Sequence, residues 1–390
     1  MTRWPQFAED EQAAVLRVLA SGRVNYWTGE EGRAFESEFA SYVGASHAVA
    51  CANGTVALEL GLRALGVGAG DDVVVPARTF IATASAVVAV GARPVVADVD
   101  RDSGGLTAET IRSALTSATR AVIPVHVGGW PCDMDGIMTL AHERGVFVIE
   151  DCAQAHGARW RGRHVGTFGH VGAFSFCQDK IMTTAGEGGM LITSDEALWR
   201  RAWEYKDHGR GIDALERARS TGGHEFKWTV AGFGTNWRMT EVQAAVGRVQ
   251  LGKVDDWVTV RRRNAAFLDE ALDAVPGVRV VRPPAEAYHS YYKYYAFLEP
   301  GALAEGWTRA RVLDEVNARG VVCMSGVCPE IHREEAFSAA GLAPARPLPV
   351  AHELGETSLM LLVDPAHTVT DIERAAEVLS QVLHVAVAAR

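Results

Sequence analysis

No basic run, no long apolar run and no grouped cysteines occur in this chain. Each absence removes a class of function. Lys and Arg total 38 against 48 Asp and Glu, a formal net charge of −10, so neither nucleic acid nor an anionic membrane surface is a fitting partner. No apolar stretch approaches a membrane span. The opening MTRWPQFAEDEQAAVLRVLA lacks the basic-then-apolar layout of a secretion signal, and a cytoplasmic location is the expectation. The six cysteines stand apart at 51, 132, 152, 177, 323 and 328. None has zinc-type spacing, so they read as buried, reduced side chains and no metal is expected. Internal repeats and low-complexity tracts are also missing. What is present is 390 residues, 48% hydrophobic and 22% charged, enough for one large domain and a smaller one.

Helical periodicity marks Ala8–Ala20 and Glu30–Tyr42, with Phe35, Phe39 and Tyr42 on one face of the second. From His47 onward, strands and helices alternate. Strands are expected at His47–Ala52, Asp72–Pro76, Arg93–Asp98, Ala121–His126 and Val146–Glu150. Helices are expected at Val56–Leu65, Thr79–Val90, Thr107–Leu115 and Asp133–Glu143. Apolar strands joined this way predict an α/β fold, a mostly parallel sheet covered by helices on both faces. Ligands on such sheets bind beyond the carboxyl ends of the strands. A glycine-rich irregular stretch spans Asp207–Thr235, and one long helix is expected from about 240 to 274. That helix would link a large domain, residues 1–250 with an N-terminal arm, to a smaller C-terminal α/β domain, residues 251–390.

Chemistry gathers at the expected strand ends. Asn53-Gly54-Thr55 follows a strand and opens a helix, a layout that serves as a phosphate cradle or as an ordinary N-cap. Asp151 and Gln154 follow another strand. A carboxylate there needs a cationic partner, such as a pyridinium N–H, or else acts as an N-cap. Phe80 can stack on a planar ring or join the core. The stretch Val171–Met190, VGAFSFCQDKIMTTAGEGGM, places Ser175 at the end of a strand expected over Gly172–Cys177. Lys180 follows on a glycine-rich loop, and a further strand is expected at Met190–Thr193. Lys180 is either a solvated charge or a partly desolvated amine able to form a Schiff base, for which pyridoxal phosphate (PLP) is the usual carbonyl partner.

Taken in order, Asn53-Gly54-Thr55, Asp151-x-x-Gln154, Ser175 with Lys180, Gly186-Glu187-Gly188-Gly189 and Asn236-Trp237-Arg238-Met239 resemble one family. It is the PLP-dependent sugar aminotransferases of the StrS/DegT type, in the aspartate aminotransferase superfamily of fold type I. The resemblance runs from NYWTG to HSYYKYY. It implies that Lys180 forms the Schiff base, Asp151 pairs with the pyridine nitrogen and Gln154 lies near the ring hydroxyl. It further implies that Phe80 stacks on the ring and that Gly54, Thr55 and Ser175 hold the phosphate. Asn236 would reach the phosphate of a neighbouring subunit, implying a homodimer with shared sites. Ala185 stands where many relatives have glycine, with no expected loss of chemistry.

The resemblance implies two-stage chemistry. L-Glutamate would convert PLP to pyridoxamine phosphate, and a nucleotide-linked ketosugar would take up the amino group. The patterns SGRVNYWTGEEGRAFE, RTFIATASA and CQDKIMTT look most like members acting on 4-keto-6-deoxyhexoses, with a dTDP-linked 4-amino-4,6-dideoxy sugar as product. An antibiotic or glycan sugar pathway would use it. A 3-keto sugar or keto-cyclitol is the alternative substrate. Candidate sugar contacts are His126, Arg238, Tyr291, Tyr292, Lys293 and His332, each also readable as packing. Other readings are a deoxygenating relative, which has histidine in place of the lysine, and a non-catalytic regulatory protein.

Overall fold

Short β-branched runs build the centre of the molecule. The computed structural model describes residues 4–220, 228–344 and 346–387. Nine strands lie in the first half of the chain: β1 (His47–Cys51), β2 (Asp72–Pro76), β3 (Arg93–Ala97), β4 (Thr119–Val122), β5 (Phe147–Asp151), β6 (Arg159–Trp160), β7 (Arg163–His164), β8 (Val171–Ser175) and β9 (Gly189–Thr193). Seven of them form one sheet in the order β1-β9-β8-β5-β4-β2-β3. Neighbours are parallel from β3 through to β8, whereas β9 pairs antiparallel with both β8 and β1. Six strands therefore end on the same edge, and only β9 runs against them.

Alternation along the strands fills two cores. Val73, Val75, Ile149, Val171 and Leu191 pack on one face with the helix Gly54–Ala64. On the other face, Phe174, Met190 and Ile192 meet Phe35 and Phe39 of the helix Glu31–Val43, and Val74, Val122 and Val148 meet the helix Met134–Arg144. Both faces are covered, as near-continuous apolar strands require.

A second sheet, all antiparallel, follows the order β10-β12-β14-β13. Its strands are β10 (Val278–Val280), β12 (Tyr294–Leu298), β13 (Cys323–Met324) and β14 (Ser358–Leu361), while β11 (Ala287–Tyr288) pairs with β6 of the first half. The helices Val254–Asp273, Arg309–Ala318 and Val369–Ala386 close its core. Among the described residues, no helix is long and apolar enough to cross a membrane.

Two expectations need correction. The single helix over 240–274 is two helices, Glu241–Leu251 and Val254–Asp273, separated at Gly252-Lys253. Glycine weakens helix propagation, and Asp255 and Asp256 suit the first turn of a new helix. The irregular stretch 207–235 contains the helix Ile212–Ser220, and residues 221–227 of it lie outside the described residues.

Gly247 lets the helix Glu241–Leu251 lie close to Phe35. A Cβ built there would stand 2.6 Å from Phe35 Cζ and 2.9 Å from Thr184 Cγ2. Alanine is the better helix former by about 1 kcal/mol. The clash nevertheless dominates, because overpacking costs about 1–3 kcal/mol. Gly247→Ala is expected to lower the denaturant midpoint, which equilibrium urea unfolding would measure.

Candidate active site

The shared edge of the large sheet collects the chemistry. After β1, Asn53 caps the helix Gly54–Ala64, its Oδ1 accepting from the Val56 N–H at 3.0 Å. Gly54 lies so close to β8 that a Cβ would sit 2.6 Å from Ser175 Cβ. The first N–H groups of this helix and the Ser175 hydroxyl thus face one small region, where the helix dipole favours an anion.

After β5 comes Asp151, buried at 5% exposure. Its Oδ2 accepts from the Thr83 hydroxyl at 2.9 Å and its Oδ1 from the Ala153 N–H at 3.1 Å. Burial pushes the carboxyl above its ordinary value, although these two donors and the nearby Lys180 oppose the shift. No hydrogen bond or ion pair to a protein cation joins it among the described residues. A cation brought by a ligand would restore the charged form. Gln154 accepts from the Gly128 N–H at 2.8 Å. Phe80, after β2, leaves 63% of its surface exposed.

Lys180 projects from the loop after β8. Its Nζ lies 4.9 Å from the centre of the Tyr292 ring. The Tyr292 hydroxyl bonds Asp179, and Lys293 Nζ lies 3.5 Å from the same carboxylate. Although burial works the other way, Tyr292 and Lys293 hold the Asp179 carboxyl below its ordinary value. Behind the loop, His156 lies between Phe174 and Phe176, at 5.5 and 5.6 Å. Burial, then the positive charges of Lys180 and Arg261, push it down to about 3, so it is neutral at physiological pH.

PLP fits this arrangement: a lysine amine, an acid with no bonded cation among the described residues, an exposed ring and an anion cradle that a Cβ would fill. The model of the DegT/DnrJ/EryC1/StrS aminotransferase family matches residues 5–380. The chain belongs to that family. It is an aminotransferase, and its cofactor is PLP. It is 37% identical to the UDP-N-acetyl-3-dehydro-alpha-D-glucosamine 3-aminotransferase of Acidithiobacillus ferrooxidans, over 91% of this chain and 89% of that one. It is 36% identical to the GDP-perosamine synthase of Caulobacter vibrioides, over 97% of each. The crystal structure of an aminotransferase from Psychrobacter cryohalolentis superposes with a TM-score of 0.95 at 48% identity, covering 98% of both chains.

The structure sorts the candidate sugar contacts. Tyr292 and Lys293 join Lys180. His126 takes the packed position that the sequence also allowed. It is fully buried, its Nδ1 accepting from the Cys132 N–H at 3.0 Å and its Nε2 lying 3.1 Å from Glu150. Arg238 is paired with the buried Asp207. Tyr291 is buried and stacks on His289 at 3.8 Å. His332 faces Glu330 at 3.7 Å. Asn236 is exposed, bridged to Asp207 through its backbone. Thr83 and Asp179 were not singled out by sequence reasoning. Thr83 stands one helical turn beyond Thr79, to whose hydroxyl it also bonds at 2.9 Å, and that spacing was its only signal.

Replacing Lys180 with Ala is expected to abolish the visible absorbance of lysine-bound PLP and all turnover. Asp151→Asn separates stability from function. Its apoprotein should melt no lower than the parent, because an unpaired buried carboxylate is removed. Turnover should fall on the order of 100- to 1,000-fold, which paired melting and steady-state measurements would show.

Proposed function

We propose that the protein moves the amino group of L-glutamate to the ketone of a nucleotide-linked sugar. The preferred substrate in this reading is dTDP-4-keto-6-deoxyglucose, and the product is dTDP-4-amino-4,6-dideoxyglucose. The observation that carries the reaction type is the meeting of Lys180, Asp151 and the Gly54–Ser175 cradle on one sheet edge. Relatives that act on nucleotide sugars support the substrate class. A second reading, amination at carbon 3, is favoured by the Acidithiobacillus enzyme, whose name specifies a 3-dehydro sugar.

Bound at this edge, PLP supplies an electrophilic aldehyde and an electron-withdrawing ring. The protein does the rest. Asp151 would pair with the ring nitrogen, Phe80 would cover the ring, and Gly54, Thr55 and Ser175 would anchor the phosphate. Once the amino donor has displaced it from the cofactor, Lys180 Nζ would be free to carry the proton that leaves the α-carbon of glutamate, as base and then as acid. With the ketosugar in place of the keto acid, Lys180 would return a proton to the sugar carbon. Two substrates that visit one site in turn give ping-pong kinetics.

The exposed Asn236 supports a homodimer in which this residue reaches the partner's phosphate cradle. Shared sites have a sharp consequence. Lys180→Ala and Asn236→Ala homodimers should each be impaired. Mixing them through reversible dissociation should restore activity, because one site of each hybrid carries both native residues. Activity that stays at the level of the unmixed variants would place Asn236 outside the neighbour's site. A panel of nucleotide ketosugars with glutamate, read by mass and proton NMR, is expected to show amination of the 4-keto substrate. Exclusive amination of 3-keto sugars would select the second reading.

A further inference from the structure

The loop carrying Lys180 is tied down unevenly. Its returning leg is held by the helix Glu241–Leu251: Gln250 accepts from the Thr183 N–H at 2.8 Å, and Gln243 donates to the Glu187 carbonyl at 2.7 Å. The Thr183 hydroxyl adds a bond to the Phe176 carbonyl at 2.9 Å. The leg that bears Lys180 has the side-chain contacts of Asp179 with Tyr292 and Lys293, and a turn in which the Lys180 N–H donates to the Cys177 carbonyl at 3.1 Å. Among the described residues, one donor reaches the Lys180 carbonyl. It is the indole N–H of Trp4, at 2.8 Å, from 176 residues earlier in the chain.

Trp4 is itself fixed. It is 7% exposed, with its ring edge-on to Trp257 at 4.9 Å and the Arg261 guanidinium 5.3 Å from the ring centre. Arg261 is 1% exposed and donates to the Tyr292 carbonyl at 3.1 Å. Tyr292 presents its ring to Lys180 Nζ. A closed circuit results: Trp4 holds the backbone of the lysine, Tyr292 faces its amine, and Arg261 joins the two. The parts come from the N-terminal arm, the helix Val254–Asp273 and the segment before β12.

We propose that Trp4 is a positioning residue for Lys180, its indole N–H fixing the backbone from which the reactive amine projects. The proposal rests on Lys180 being the amine that captures the cofactor. One hydrogen bond is a small contribution to stability. Its leverage on reaction is larger, since a displacement of about 1 Å can cost on the order of 100-fold.

Trp4→Phe keeps the ring against Trp257 and Arg261 and removes only the donor. After PLP is mixed with the apoprotein, the visible absorbance of lysine-bound cofactor should rise about tenfold more slowly than in the parent. Amide hydrogen exchange in the holoenzyme should speed up about fivefold across residues 177–182 and stay unchanged in the helix Val254–Asp273. Trp257→Phe, which trims the packing but leaves the donor, should match the parent in both measurements. An unchanged capture rate in Trp4→Phe overturns the proposal, as does slower capture without faster exchange in the loop. Equal effects from Trp257→Phe also overturn it, because packing alone would then account for the result. Failure of the Lys180 assignment looks different, since Lys180→Ala would then keep the visible absorbance.

Discussion

A carboxylate buried without a cation of its own sets the terms for this site. Asp151 sits at the end of a central strand, accepts two hydrogen bonds and is pushed upward by burial. Left alone, such a group weakens the fold at neutral pH, because its charged form is poorly solvated. The molecule keeps it, and in the proposed reaction the protonated pyridine nitrogen of the cofactor would supply the missing charge. Binding and catalysis then share one interaction. The pairing stabilises both charges, so the ring nitrogen would keep its proton and the carboxylate would stay ionised despite burial.

The rest of the edge follows from close backbone approach. Gly54 and Gly189 stand where a side chain would strike Ser175 and the Asn53 carbonyl, with built Cβ distances of 2.6 and 2.2 Å. These contacts draw the start of the helix Gly54–Ala64 against β8 and β9, so the anion cradle and the lysine loop share one wall. Ala185 departs from this economy. It adopts φ +64°, a left-handed conformation that costs a non-glycine residue on the order of 1 kcal/mol. The neighbouring bonds of Thr183, Thr184 and Glu187 hold it there. The loop shape is therefore enforced by its tethers.

Much of this was legible in the chain because it is local. Runs such as DVVVP announce buried strands, and polar or glycine residues at their ends announce the edge where ligands bind. The order of strands, with β9 alone reversed, was not legible, since pairing joins segments far apart in sequence. The break at Gly252-Lys253 was missed because apolar periodicity continues on both sides of it. His126 follows a strand and was readable either as packing or as a sugar contact. Glu150, whose oxygens also accept from Gly166, Phe168 and Gly169, instead draws it inward. The clasp of Trp4 on Lys180 spans 176 residues, and no spacing rule could have found it.

Where each contact sits explains how one chemistry serves different sugars. In the proposed site, Gly54, Asp151 and Ser175 stand at or just after the ends of strands of the large sheet, where packing on both faces leaves little freedom. The side chains offered to a sugar in that reading, Tyr292 and Lys293, lie elsewhere, on the segment before β12. Side chains there can change without disturbing Asp151 or the phosphate cradle. Relatives named for a 3-amino sugar and for perosamine can thus remain 36–37% identical to this chain. Tyr292 and Lys293 belong to both regions, because Asp179 ties them to the loop that presents the amine. In the proposed reaction, a sugar seated against these two side chains would press on the loop that presents Lys180, and Asp179 would join recognition to proton delivery.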